Sequence, residues 1–169
     1  MKRMTLIALA ITSISASAAD YKTTQIVHWK DRFAMTTMDK SETGIDLTRQ
    51  GFSALVSYDK NGIQRIYFKH RELRDGQFVT NCHLGESFDS EIWKFTDQNV
   101  KMTTYCDETE GTKYLTATPE TDAGAAFVIK AFKNSAGSVK IVPKSFQQGF
   151  EMSAKGFTKV WNNGGGDAI

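Results

Sequence analysis

Residues 51–70, "GFSALVSYDKNGIQRIYFKH", decide the fold. Phe52, Ala54, Val56 and Tyr58 alternate with Ser53, Leu55 and Ser57, and Ile63 to His70 returns with β-branched and aromatic residues. A period of two is that of a strand with one face buried. Between the runs lies Asp59-Lys60-Asn61-Gly62, and Asn-Gly tolerates the positive φ at both positions that a type I′ hairpin turn requires. The segment therefore predicts an antiparallel hairpin.

Working outward, residues 21–38 read as two short strands with a break near Lys30-Asp31, followed by a polar loop over 39–51. After the hairpin, further strands are predicted at 77–83, 91–96, 99–106 and 113–119. The period then changes. Ala125, Val128, Ile129 and Phe132 fall at i, i+3, i+4 and i+7, a helical stripe, with Pro119 suited to a first turn and Gly137 to a stop. The β-propensity of "AAFVIKAF" competes with that helix over 120–135. Residues 138–143 read as a strand, and Ser153 is placed to cap a short C-terminal helix carrying Phe157, Val160 and Trp161. The sum is a mostly β domain, antiparallel and sandwich-like or α+β, with two helices near its end. The chain carries 11 phenylalanines, five tyrosines and three tryptophans, most of which must fill its core.

The first 18 residues read as a cleaved secretory signal. Lys2 and Arg3 form the n-region, residues 4–14 the apolar h-region, and Ala16-Ser17-Ala18 the small-x-small site, with cleavage after Ala18. The apolar run is shorter than the ~20 residues a membrane-spanning helix needs. Residues 19–163 are then one domain and 164–169, rich in glycine, a flexible tail. Losing Lys2 and Arg3 leaves 19 basic residues against 19 acidic, so the mature chain is formally neutral. A nucleic-acid partner, which asks for a basic domain, is disfavoured. The expected location is the periplasm or the exterior, without a membrane span.

The chain has two cysteines, Cys82 and Cys106, and three histidines. In an oxidising compartment a pair of cysteines is expected to form a disulfide. A Cys82 nucleophile would need a free thiolate beside a base. His83 adjoins it but points to the opposite face of a strand. A zinc site lacks any C-x-x-C or H-x-x-x-H spacing, and neither a G-x-S-x-G elbow nor a phosphate-binding loop is present. Asp107, Glu108 and Glu110 lack the pattern of a calcium loop, and Glu86 with Asp89 makes an acid–base pair only if folding sets their separation. No cofactor or metal is called for.

Charge is uneven along the chain. Residues 60–74 carry Lys60, Arg65, Lys69, Arg71 and Arg74 against Glu72, whereas 86–110 are rich in Asp and Glu. Such clusters are either ordinary solvated faces or a surface that steers a charged partner. Arg65, Lys69, Arg71 and Arg74 are the candidate contact residues.

Residues 125–161 resemble the closing unit of small exported bacterial proteins, the invasion-associated locus B family and periplasmic accessory proteins of type VI secretion. An apolar segment with Phe127, Val128 and Phe132 precedes a strand, and Phe150, Met152, Ser153, Gly156 and Phe157 lead into a last helix. The likeness covers about a quarter of the mature chain. It implies an exported, non-enzymatic β-rich domain and transfers no catalytic residue.

The function expected from all of this is that of an exported, disulfide-linked, non-enzymatic protein-binding domain of the bacterial envelope. Its role would be accessory or of the immunity or inhibitor type, its partner another envelope or secreted protein. The alternatives are an envelope hydrolase using His28 or His70 with a nearby acid, and a small-molecule or lipid carrier with an open apolar interior.

Overall fold

The computed structural model describes residues 21–41, 47–80, 82–85 and 89–164. Twelve elements follow in order: β1 (Lys22–Lys30), β2 (Phe33–Ser41), β3 (Leu47–Tyr58), β4 (Gln64–Arg74), β5 (Gln77–Phe78), β6 (Asp89–Phe95), β7 (Gln98–Thr109), β8 (Thr112–Pro119), α1 (Asp122–Asn134), β9 (Ser138–Val142), β10 (Phe150–Ser153) and α2 (Phe157–Asn162). The mostly antiparallel β fold with two late helices is as the sequence indicates.

The strands form one sheet in the order β1-β2-β3-β4-β8-β7-β6-β9-β10, with β5 beside the end of β4. The sheet curls until its ends almost meet. There Thr36 Oγ1 donates to the Glu151 carbonyl (2.6 Å), Trp29 Nε1 to the Ser153 carbonyl (2.7 Å) and the Trp29 N–H to the Lys155 carbonyl (3.1 Å). The two faces of a sandwich are here one sheet closed nearly into a barrel, which leaves little exposed edge.

The alternation read at residues 51–70 fixes what lies inside. Phe52, Ala54 and Val56 on β3 and Ile66 and Phe68 on β4 point inward, beside Met102 on β7 and Trp93 and Phe95 on β6, all buried. The rings pack in contact: Phe52 lies flat on Phe150 at 3.9 Å between centroids, and Phe68 meets Trp93 and Phe95 at a tilt, 5.9 and 5.3 Å away. Each such side chain contributes about 1.5–3 kcal/mol of transfer free energy. Helix α1 closes one end. Val128 and Phe132 from its predicted stripe are buried, and Phe132 packs on Trp29 and Phe157.

Several local expectations are corrected. The β3–β4 loop spans Asp59–Ile63, and of the Asn-Gly pair Gly62 alone takes positive φ (77°). Asp59 is the reason: its carboxylate accepts the N–H of Asn61 (2.8 Å) and of Ile63 (3.0 Å), while the Gly62 N–H reaches the Asp59 carbonyl (3.0 Å). Two-residue turns with both φ positive occur instead at Asp31-Arg32, Asp75-Gly76 and Glu110-Gly111. Of the polar loop expected over 39–51, the described residues 39–41 and 47–51 are strand, because Asp39 and Arg49 face each other in the β2–β3 ladder and form a two-pronged ion pair at 2.8 and 2.9 Å. Of the strand expected over 77–83, Gln77–Phe78 alone is strand among the described residues. Just past it the chain stays tied to β4, with the Val79 N–H bonded to the Glu72 carbonyl (3.0 Å) and Thr80 Oγ1 accepting the Glu72 N–H (3.3 Å).

Thr121, not Pro119, starts α1: its Oγ1 accepts the Gly124 N–H, and Pro119 ends β8. The helix stops at Ser135, two residues before Gly137. Helix α2 is capped by Gly156 rather than Ser153, for a steric reason. Gly156 has φ 89°, and a Cβ there would lie 2.6 Å from the Trp29 carbonyl oxygen. Gly164, assigned to the tail, is buried and its carbonyl accepts the Tyr58 hydroxyl. The signal segment, residues 165–169 and Glu86 lie outside the described residues.

Candidate binding face

The period of two along β4 sorts its charges. Residues 66 and 68 face the core, so Arg65, Tyr67, Lys69 and Arg71 share the outer face of the wall. Arg74 has the opposite parity and is ion-paired with Glu72 at 2.7 Å. Three of the four candidate cations are thus brought together, and Arg74 is not among them.

Ladder registers place three more strands beside this row. Lys69 lies opposite Ser53 on β3 and Thr116 on β8, and Thr116 lies opposite Tyr105 on β7. The resulting trough encloses about 750 Å³, and its lining includes Leu55, Arg65, Tyr67, Lys69, Tyr105 and Thr116. A smaller hollow of about 230 Å³ continues it past Lys69 to Arg71, Phe33 and Tyr114. Leu55 and Lys69 line both, so the two form one band along the outside of β4.

The charges within the band are unequally satisfied. Arg65 bridges Asp59 and Asp122, both at 3.3 Å, and Glu120 pairs with Lys101 at 2.7 Å. The Lys101 and Ser90 hydrogen bonds hold the Glu120 carboxyl below its ordinary range. Burial pushes the Asp59 carboxyl up, but the Ile63 and Asn61 N–H groups and Arg65 outweigh it and leave it lowered. Lys69 has no such carboxylate. Its Nζ donates to the Tyr114 hydroxyl at 3.0 Å and sits 4.1 Å from that ring's centroid. Arg71 stacks over Phe78 at 5.7 Å. Among the described residues neither forms an ion pair. Burial, with Tyr67, Asp107 and Tyr114 nearby, pushes the Tyr105 phenol up to about 12, so it stays protonated at neutral pH. From the acid-rich stretch, Asp107 lines the same trough.

The Thr116 hydroxyl completes the face. Among the described residues it is the buried side-chain polar atom with no hydrogen-bond partner. The sequence could mark the cations; Tyr105, Tyr114 and Thr116 reach them only through the β4–β8 pairing, which no local signal announces.

The remaining candidates lie elsewhere. Cys82 and Cys106 form a disulfide, with Cα atoms 5.5 Å apart, so neither thiol is free. His70 faces inward, stacked on Phe52 at 4.6 Å with Nε2 2.5 Å from Gln50 Oε1, and burial lowers its pKa to about 4. His28 Nδ1 meets Ser153 Oγ at 2.8 Å, a serine that is itself buried. One nitrogen of each ring thus bonds to an amide or a hydroxyl rather than to a carboxylate. Among the described residues no cluster of His, Cys, Asp and Glu converges as metal ligands, and no helix is long and apolar enough to cross a membrane.

Comparison with protein families, with characterised proteins and with solved structures finds no match. The residues that resemble the invasion-associated locus B and type VI accessory proteins sit in α1, in β10 and around the start of α2, away from the trough.

Proposed function

We propose that this chain is an exported, disulfide-linked binding domain of the bacterial envelope, periplasmic or secreted, whose partner is another envelope or secreted protein. The observation that carries the reading is the band along β4, where Lys69 and Arg71 present charge with no carboxylate paired to them among the described residues. Charge left open on a concave face with aromatic walls is a feature of surfaces built for complementary partners. The disulfide is compatible with export, and the likeness of residues 125–161 points the same way. A carrier needs interior space, and here the interior holds stacked rings. A hydrolase needs a base with an acid beside it, whereas His70 is mostly enclosed and the exposed His28 bonds through Nδ1 to a serine rather than to a carboxylate. An accessory or inhibitor-type role needs only a stable scaffold and this face.

The test is capture of the partner by cross-linking in intact cells, with wild type and with Lys69→Glu/Arg71→Glu. Recovery of a partner that falls with salt and is lost in the variant is expected. Equal capture by both proteins would refute the assignment of the surface.

A further inference from the structure

The outer face of β4 also indicates what the partner presents. Thr116 is 1% exposed, lines the trough, and has a hydroxyl with no partner. A valine of the same shape would avoid the penalty of burying that group. Beside it in the ladder is Lys69, whose ammonium rests on the Tyr114 hydroxyl and, among the described residues, on no carboxylate. An unused donor next to an uncompensated cation is a place for an anionic oxygen.

Its shape selects among anions. Asp59, Asp107 and Glu120 share the trough, so a uniformly negative phosphate backbone would meet repulsion along its length. Successive outward residues of a strand stand about 7 Å apart, which puts Lys69 and Arg71 at that spacing and Arg65 about twice as far on the other side. Alternate residues of an extended peptide repeat at the same interval. Leu55, Tyr67 and Phe33 offer apolar contact between the charges.

We infer that the band receives an extended acidic segment of the partner protein, one carboxylate of which accepts hydrogen bonds from Thr116 Oγ1 and Lys69 Nζ. This rests on the protein-binding reading and adds a ligand chemistry to it. On binding, Lys69 turns from Tyr114 toward the carboxylate. Arg71 meets a second carboxylate two residues along.

Fluorescence anisotropy tests this with the disulfide-intact mature chain and a labelled heptapeptide carrying glutamate at positions 1, 3 and 7 and valine or threonine between. A twin peptide has glutamine at those positions. The acidic peptide is expected to bind saturably and the amide twin about tenfold or more weaker, as loss of a charged hydrogen-bond partner implies. Thr116→Val should weaken the acidic peptide about fivefold with an unchanged near-ultraviolet circular dichroism spectrum. Lys69→Gln should weaken it more, and Lys130→Gln, on the exposed side of α1, not at all. Equal binding of the two peptides, or an unaffected Thr116→Val, would overturn the inference. If neither peptide binds while the β4 charge reversal still abolishes partner capture, the acidic-segment inference fails and the protein-binding reading stands. If capture also survives the reversal, both fail.

Discussion

Thr116 lies directly opposite Lys69 in the β4–β8 ladder, its hydroxyl buried without a hydrogen-bond partner and the lysine's ammonium set on the Tyr114 phenol. Thr116→Val removes only that hydroxyl. In the free protein it should raise stability by about 1 kcal/mol, because an unsatisfied buried polar group is replaced by a methyl. Urea unfolding read by tryptophan fluorescence measures the change. A loss of stability would mean that the hydroxyl is satisfied in solution.

His70 makes stability depend on pH. Its folded pKa of about 4 lies below the ordinary value of 6.5, mainly through burial, so the unfolded chain binds the proton more readily. Its contribution is therefore complete above pH 6.5 and declines as pH falls toward 4. The full difference is roughly 3 kcal/mol at 1.36 kcal/mol per pH unit. His70→Gln should flatten that part of the stability–pH profile. An unchanged slope between pH 6.5 and 4 would contradict the burial of a neutral imidazole.

Gly156 cannot accept a side chain. Its φ of 89° and the 2.6 Å approach of a Cβ to the Trp29 carbonyl oxygen combine strain with a clash against backbone. Gly156→Ala should cost about 2 kcal/mol or more, seen as a lower melting temperature. Ala136→Gly in the exposed turn after α1 is the mild comparison.

The Cys82–Cys106 bridge spans 24 residues and ties the segment after β5 to β7. Replacing both cysteines with serine should lower stability by roughly 3 kcal/mol on loop-closure entropy. The β4 band, built from ladder pairs rather than from the bridge, should retain its peptide affinity wherever the variant is folded.

Much of the barrel was legible because Phe52 to His70 alternates cleanly and because Val128 and Phe132 share a helical stripe. What was hidden depends on partners. Asp39, Arg49 and Gln50 look like loop residues until the ladder sets Asp39 against Arg49. The Asn-Gly pair does not set the turn alone, because Asp59 binds the loop's N–H groups from outside the dipeptide. Arg65, Lys69 and Arg71 could be picked out as a cationic cluster, and the parity that turns Arg74 away was available in the same run. Thr116 was not, since its place beside Lys69 comes from β8 crossing to β4 over more than 40 residues of sequence.

On the proposed reading, the outer face of β4 is where this protein meets its partner. The most direct measurement installs a photo-reactive amino acid at position 67, between Arg65 and Lys69, and at position 130 on α1, and irradiates intact cells. One dominant protein adduct is expected from position 67, mapped by mass spectrometry to an acidic segment of that protein, and none from position 130. Adducts from position 130 alone, or the same adducts from both, would contradict it.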